Sequence, residues 1–127
     1  MTPSTRILDR APQVEPNDRG EWRRWLECHH DTATGVWVVW PRSTRDRVLD
    51  YNAAVEEALC FGWIDGQAAG VDEKRSKQYF APRRARSHWS TLNRERFLRL
   101  LASGRVAPAG IAAAEQASRD GRYSSSE

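Results

Sequence analysis

Six tryptophans in a chain of 127 residues most constrain how this protein folds. Each indole ring carries a large apolar surface, and together these surfaces argue against a disordered chain. A chain of this length can bury them in one core but is too short for two independent cores. We therefore expect a single domain over residues 17–123, with a disordered N-terminal arm at residues 1–16 and a loose tail at residues 124–127.

The spacing of apolar residues predicts four helices. The first covers residues 18–30 with Asn17 as its cap, and the second covers residues 52–61 and ends at Gly62. The third is capped by Ser90, and Pro108 lies in the first turn of the fourth.

Three short segments are typical of strands. Residues 36–40 are β-branched and aromatic and are followed by Pro41, while residues 63–64 and 78–81 are expected to pair as a hairpin. The prediction is an α+β fold with a small, mostly antiparallel three-stranded sheet packed with about four helices.

Charge is distributed unevenly along the chain. Residues 74–105 contain ten of the twenty basic residues against the single acid Glu95, a formal charge of +9, whereas the whole chain carries +3. Such a concentration of positive charge attracts anions. We therefore expect an anionic partner, either a phosphorylated small molecule or a polyanion.

The junction at residues 82–90 is the best candidate site, because it brings arginines to the start of the helix capped by Ser90. Guanidinium groups and the free N–H groups of a helix N-terminus both suit phosphate or carboxylate. The candidate anion-binding residues are Arg83, Arg84, Arg86, Ser87, Trp89, Ser90 and Asn93. The alternative is a solvated face whose arginines partly pair with Asp65, Asp72 and Glu73, while Ser90 and Asn93 merely cap the helix.

A nucleic-acid surface is a weaker interpretation of the same charges. Arg94, Arg96 and Arg99 extend the basic segment, and the interleaved rings of Tyr79, Phe80 and Trp89 are able to stack on bases. Aromatic residues beside strands are more often core, and no zinc-finger, helix-turn-helix or RNA-recognition signature accompanies them.

Asp65 is the one weak catalytic candidate. An acid at the end of an apolar strand can act as a general base, but it equally serves to orient Arg83 or the Trp89 indole, and the structural ion pair is favoured. Cys60 lies among apolar residues and is expected to be a small buried hydrophobe rather than a nucleophile. Trp63, Asp65 and Cys60 are therefore predicted to have structural roles.

Neither a metal nor a cofactor is expected. The side chains of residues 28–31 are able to bind metals, but contiguous residues at a helix end point in different directions. Cys28 and Cys60 are interpreted as two buried free thiols in a reducing cytosol. No signal-like segment is apparent and no apolar run approaches the roughly 18 residues of a membrane span, so a cytoplasmic protein is expected.

Several short sequence motifs together resemble those of the YdeI/OmpD-associated family, whose members are also called bacteriocin-protection proteins. They are residues 21–26 (EWRRWL), 35–37 (GVW), 54–66 (AVEEALCFGWIDG) and 80–84 (FAPRR), with Tyr51, Ser87, Trp89, Ser90 and Asn93. The family's motif residues fall on Trp63, Asp65, Arg83, Arg84, Ser87, Trp89, Ser90 and Asn93. This chain departs by having Ala81 where relatives usually carry Thr, and it is expected to lack their basic C-terminal helical extension.

The resemblance implies a small bacterial protein tied to tolerance of bacteriocins, antimicrobial peptides and envelope stress. The first hypothesis is accordingly a non-enzymatic stress-tolerance protein that acts through a basic anion-binding surface. One alternative is an enzyme acting on a phosphorylated or acidic small molecule, with Asp65 as acid or base. The other is a nucleic-acid-binding module.

Overall fold

The structure, a computed structural model, describes residues 10–84 and 89–121. In that part of the chain, four helices accompany one mixed sheet of four strands, so the fold is α+β. The strands are β1 (Gln13–Val14), β2 (Val36–Pro41), β3 (Trp63–Gly70) and β4 (Arg75–Pro82). They lie in the order β1-β2-β4-β3.

The predicted hairpin is present, because β3 and β4 pair antiparallel with Trp63 opposite Pro82 and Asp65 opposite Phe80. Strand β4 also pairs antiparallel with β2. The expectation of three strands missed β1, which pairs parallel to β2 within the segment predicted as an arm. Two residues are too few to show the alternation that identifies a strand in a sequence.

The helices are α1 (Arg19–His29), α2 (Tyr51–Leu59), α3 (Thr91–Ala102) and α4 (Pro108–Arg119). A single 3₁₀ turn, Thr44–Asp46, precedes α2. Ser90 caps α3 as predicted, since its hydroxyl accepts a hydrogen bond from the Asn93 amide at 3.1 Å. The cap of α1 is Asp18 rather than Asn17, because the Asp18 carboxylate accepts from the Glu21 amide at 2.8 Å.

Two glycines allow α4 to approach the end of α2 closely. Gly62 ends that helix with a φ of 77°, a left-handed conformation that glycine adopts without strain, as its predicted capping role requires. Gly110, on α4, is buried against the carbonyl group of Cys60, which accepts a hydrogen bond from the Ala107 amide at 2.9 Å. The backbones of the two elements are therefore in direct contact.

The core joins all four helices to one face of the sheet. Its largest fully buried side chains include Trp22, Trp63, Trp89 and Phe80. Alternate residues of β2, Val36, Val38 and Trp40, belong to this core cluster. Among residues 10–84 and 89–121, no helix has the length and apolar character needed to cross a bilayer.

The two cysteines differ in environment. Cys60 is buried, as predicted, whereas Cys28 is exposed. The prediction for Cys28 was wrong because α1 buries the face that carries Trp22 and Leu26, and a residue two positions beyond Leu26 lies about 200° around the helix.

Candidate anion-binding site

Four separate segments of the chain meet where β3 begins and β4 ends. They are the start of α2, the first residues of β3, the residue after β4 and the first turns of α3. We call the polar residues that they contribute the Arg83 cluster, which consists of Tyr51, Asn52, Asp65, Arg83, Asn93 and Arg96.

The hairpin positions the two charged residues at the centre of the cluster. Trp63 is buried, and strand alternation places Asp65 on the same, helix-covered face of the sheet. On the neighbouring strand, the amide of Arg83 donates to the Gly62 carbonyl at 2.9 Å and so continues the pairing by one residue. Asp65 is close enough for its charge to act on the Arg83 guanidinium.

The Arg83 guanidinium lies over the ring of Trp89, with 4.3 Å between Cζ and the ring centroid. Trp89 itself is 1% exposed and packs edge-on against Phe97 at 5.4 Å. Burial lowers the pKa of Arg83 to about 10, against the opposing effect of the Asp65 charge. Arg83 therefore remains a cation at neutral pH, and the Trp89 ring packs against one face of its guanidinium group.

Tyr51 and Asp65 form a second contact in the cluster. The Tyr51 hydroxyl donates a hydrogen bond to Oδ2 of Asp65. Burial, the hydrogen bond and the Asp65 charge raise the pKa of Tyr51 to about 12, although the nearby Arg96 charge acts in the opposite direction. At neutral pH the tyrosine is consequently a hydrogen-bond donor.

Arg96 is held by neutral groups. Its Nη1 donates to Oδ1 of Asn93 at 3.0 Å, and its Nη2 donates to Oδ1 of Asn52 at 2.8 Å. In the described ranges, 10–84 and 89–121, no carboxylate lies within salt-bridge distance of Arg96. Amide oxygens fix the orientation of the guanidinium without neutralising its charge.

The remaining candidate residues have mixed roles. Ser90 caps α3, and Arg84 is exposed beside Arg83. Arg86 and Ser87 lie outside the described residues. Trp63 is buried, with its indole N–H directed to the His30 carbonyl at 3.3 Å, and Cys60 is 0% exposed, so both belong to the core.

The structure bears on two alternatives raised by the sequence, namely the pairing of acids with the arginines and the stacking of aromatic rings on bases. Asp72 does not serve the site, since it pairs with Arg75 at 3.0 Å in the turn of the hairpin. Phe80 and Trp89 are buried, and Tyr79 packs against Trp37 with 5.2 Å between ring centroids. Two of the three rings considered for stacking on bases are therefore closed to a nucleic acid.

The sequence interpretation missed a second charged group, built around Glu57. This carboxylate is 0% exposed and accepts hydrogen bonds from Arg19 Nε, Arg105 Nη2 and, at 2.9 Å, Arg23 Nη1. Burial alone would raise the pKa of Glu57, but the three guanidinium groups hold it below its ordinary value. The available signal was helical spacing, because Glu57 shares the buried face of α2 with Ala54 and Ala58.

Comparison with known proteins gives one result. A family model described as a domain of unknown function (DUF8412) matches residues 14–113, which include both the Arg83 cluster and the surroundings of Glu57. Neither the curated proteins nor the solved structures yield a match to the chain.

Proposed function

The chain belongs to the family described as a domain of unknown function (DUF8412), and we propose that it binds a small phosphorylated or carboxylate anion at the Arg83 cluster. In this proposal the protein is a non-enzymatic bacterial stress-tolerance protein, and anion binding is the event through which it acts. The resemblance to bacteriocin-protection proteins supports the biological role, and the geometry of the cluster supports the binding.

The observation that carries the proposal is the set of partners around Arg96. Two asparagine oxygens, on α2 and α3, orient this cation, and no carboxylate in residues 10–84 and 89–121 lies within salt-bridge distance of it. Arg19 and Arg75, by contrast, are paired with carboxylates. A guanidinium that is held in one orientation by two amide oxygens is suited to an anion that arrives from solution.

One other feature of the cluster favours the same ligand class. Arg83 lies next to the beginning of α3, whose first N–H groups carry partial positive charge. The Tyr51 hydroxyl uses its single hydrogen on Asp65, so the donors that remain for the ligand are the guanidinium groups, whose planar forks match the oxygen atoms of a phosphoryl group.

The Arg96→Gln variant is expected to weaken the binding of inorganic pyrophosphate about tenfold, a loss of about 1.4 kcal/mol. Glutamine keeps a polar side chain that can still contact an asparagine but removes the positive charge. The measurement is calorimetric titration at fixed ionic strength, with thermal unfolding to show that the variant is folded.

Arg45→Gln is the matched control, because Arg45 is exposed in the 3₁₀ turn and the same charge is lost. Equal weakening by both substitutions would mean that overall charge, rather than the cluster, attracts the anion. Affinity only for single-stranded DNA or RNA, lost steeply as salt is added, would instead support a nucleic-acid module.

The hydrogen bond between Tyr51 and Asp65 favours an enzyme as the second candidate function. In that case Asp65 transfers a proton while the arginines hold the substrate. Asp65→Asn would then abolish hydrolysis of a chromogenic phosphate ester while pyrophosphate affinity stays within about twofold. The binding proposal predicts no hydrolysis by the unmodified protein, so turnover that depends on Asp65 would replace it.

A further inference from the structure

A cavity of about 380 Å³ lies between α1, α2 and the end of α3, beside the Glu57 group. Its lining residues are Arg19, Glu56, Arg99, Leu100, Ser103 and Arg105. Three guanidinium groups and one carboxylate therefore form its charged wall. Glu57 lies behind this wall and is closed to solvent.

The arginines of the wall differ in how many of their N–H groups donate hydrogen bonds to other residues of the protein. Arg19 binds two carboxylates, because its Nε donates to Glu57 and its Nη2 donates to Glu56 at 2.9 Å. Arg99 makes a single hydrogen bond within residues 10–84 and 89–121, from Nη1 to Glu56 at 3.2 Å, and its side chain is 63% exposed. Most of the donors of Arg99 are thus left to solvent.

Arg105 is also only partly engaged by the protein. Its Nη2 donates to Glu57 and its Nε is too deeply buried for a ligand to reach, but the side chain as a whole is 41% exposed. The Leu100 carbonyl accepts from the Ser103 hydroxyl at 2.9 Å and from the Arg105 amide at 3.1 Å. The end of α3 is therefore capped from within and does not depend on the arginine side chains.

We propose that this cavity is a second anion site, which holds the phosphoryl group of a small molecule between Arg99 and Arg105. The wall carries three positive charges against the one carboxylate of Glu56, and a phosphoryl group offers more acceptor oxygens to the donors of Arg99 than a carboxylate does. A volume of this size accommodates a small ligand. Arg96 and Arg99 share one face of α3, which places this site about one helical turn from the Arg83 cluster.

The test is a titration of isotope-labelled protein with inorganic phosphate at constant ionic strength, followed by amide chemical shifts. The expected result is a saturable change at Ser103 and Arg105 with a dissociation constant of about 1 mM or tighter. Arg99→Gln is expected to weaken that response at least about fivefold, while responses near Asn93 in the Arg83 cluster persist.

Arg119→Gln serves as the control, because Arg119 is exposed on α4 and its side chain donates a hydrogen bond to Gln116 on the same helix. The second site is overturned if no saturable change occurs around Arg105, or if Arg99→Gln leaves the response unchanged. Conversely, loss of the response near Asn93 alone would contradict the proposed function and leave the second site standing. The same spectra therefore separate the two failures.

Discussion

Replacing Glu57 by glutamine is expected to destabilise the protein by about 3 kcal/mol, the lower end of the cost of breaking a buried ion pair. The substitution preserves shape but removes the one buried charge that Arg19, Arg23 and Arg105 share. The three arginines then lose their shared anion. Their side chains are between 24% and 41% exposed, so water recovers part of the loss.

Urea unfolding of the two proteins measures the difference. The matched control is Glu27→Gln, since Glu27 also pairs with Arg23, at 3.5 Å, but its side chain is 52% exposed. That substitution is expected to cost less than about 1 kcal/mol. Similar small losses for both variants would show that the buried carboxylate is not a stabilising centre.

Repeating the urea unfolding at acid pH tests whether the ionised form of Glu57 is what stabilises the fold. Because the folded state holds the pKa of Glu57 below its ordinary value, the stability that this group contributes is fully present above the unfolded pKa, near about 4.3. It is lost as the pH falls further, through the folded pKa. The difference in stability between Glu57→Gln and the unmodified protein is therefore expected to shrink below about pH 4.

Gly110→Ala is expected to destabilise the protein by about 1–3 kcal/mol, although alanine is the better helix former. A Cβ atom at this position would lie 2.8 Å from the carbonyl carbon of Cys60, closer still to its oxygen, and 2.9 Å from Cγ1 of Val106. The backbone of Cys60 cannot move away cheaply, because its carbonyl also accepts the Ala107 amide. Helix α4 must shift instead.

Gly20→Ala is the matched substitution, because Gly20 is also helical but the nearest atoms to its added Cβ lie at 3.5 and 3.7 Å. It is expected to stabilise the protein by up to about 1 kcal/mol. Urea unfolding should therefore show a loss of stability for Gly110→Ala and a gain of stability for Gly20→Ala. If Gly110→Ala were also stabilising, the close contact between α4 and the end of α2 would not exist as described.

Features fixed by neighbouring residues could be predicted from the sequence. The Ser90 cap, the turn at Gly62 and the burial of Cys60 each depend on a few adjacent positions, and the structure confirms them. Strand β1 was missed because its pairing with β2 joins segments more than twenty residues apart and leaves no local pattern. Features that depend on residues close together in the sequence could be predicted, whereas this pairing between distant segments could not.

The candidate site shows the same division. Charge concentration and the helix cap pointed to Arg83 and Ser90, but the orientation of Arg96 depends on Asn52, which lies 44 residues away. The partners of Glu57 are 34 to 48 residues distant, so a sequence pattern that identifies the buried face of α2 does not reveal which cations reach it. Tertiary packing decides these contacts.

The unequal exposure of the two thiols has a practical consequence for studying the protein. A thiol-specific fluorophore reaches Cys28 on α1, whereas Cys60 is enclosed in the core, so the native protein offers one labelling position without an engineered cysteine. Cys28 lies about 14 Å along the helix axis from Arg19, at the opposite end of α1 from the cavity. A dye attached there would lie away from the cavity, and a reducing agent would be needed beforehand to keep exposed thiols from joining two molecules.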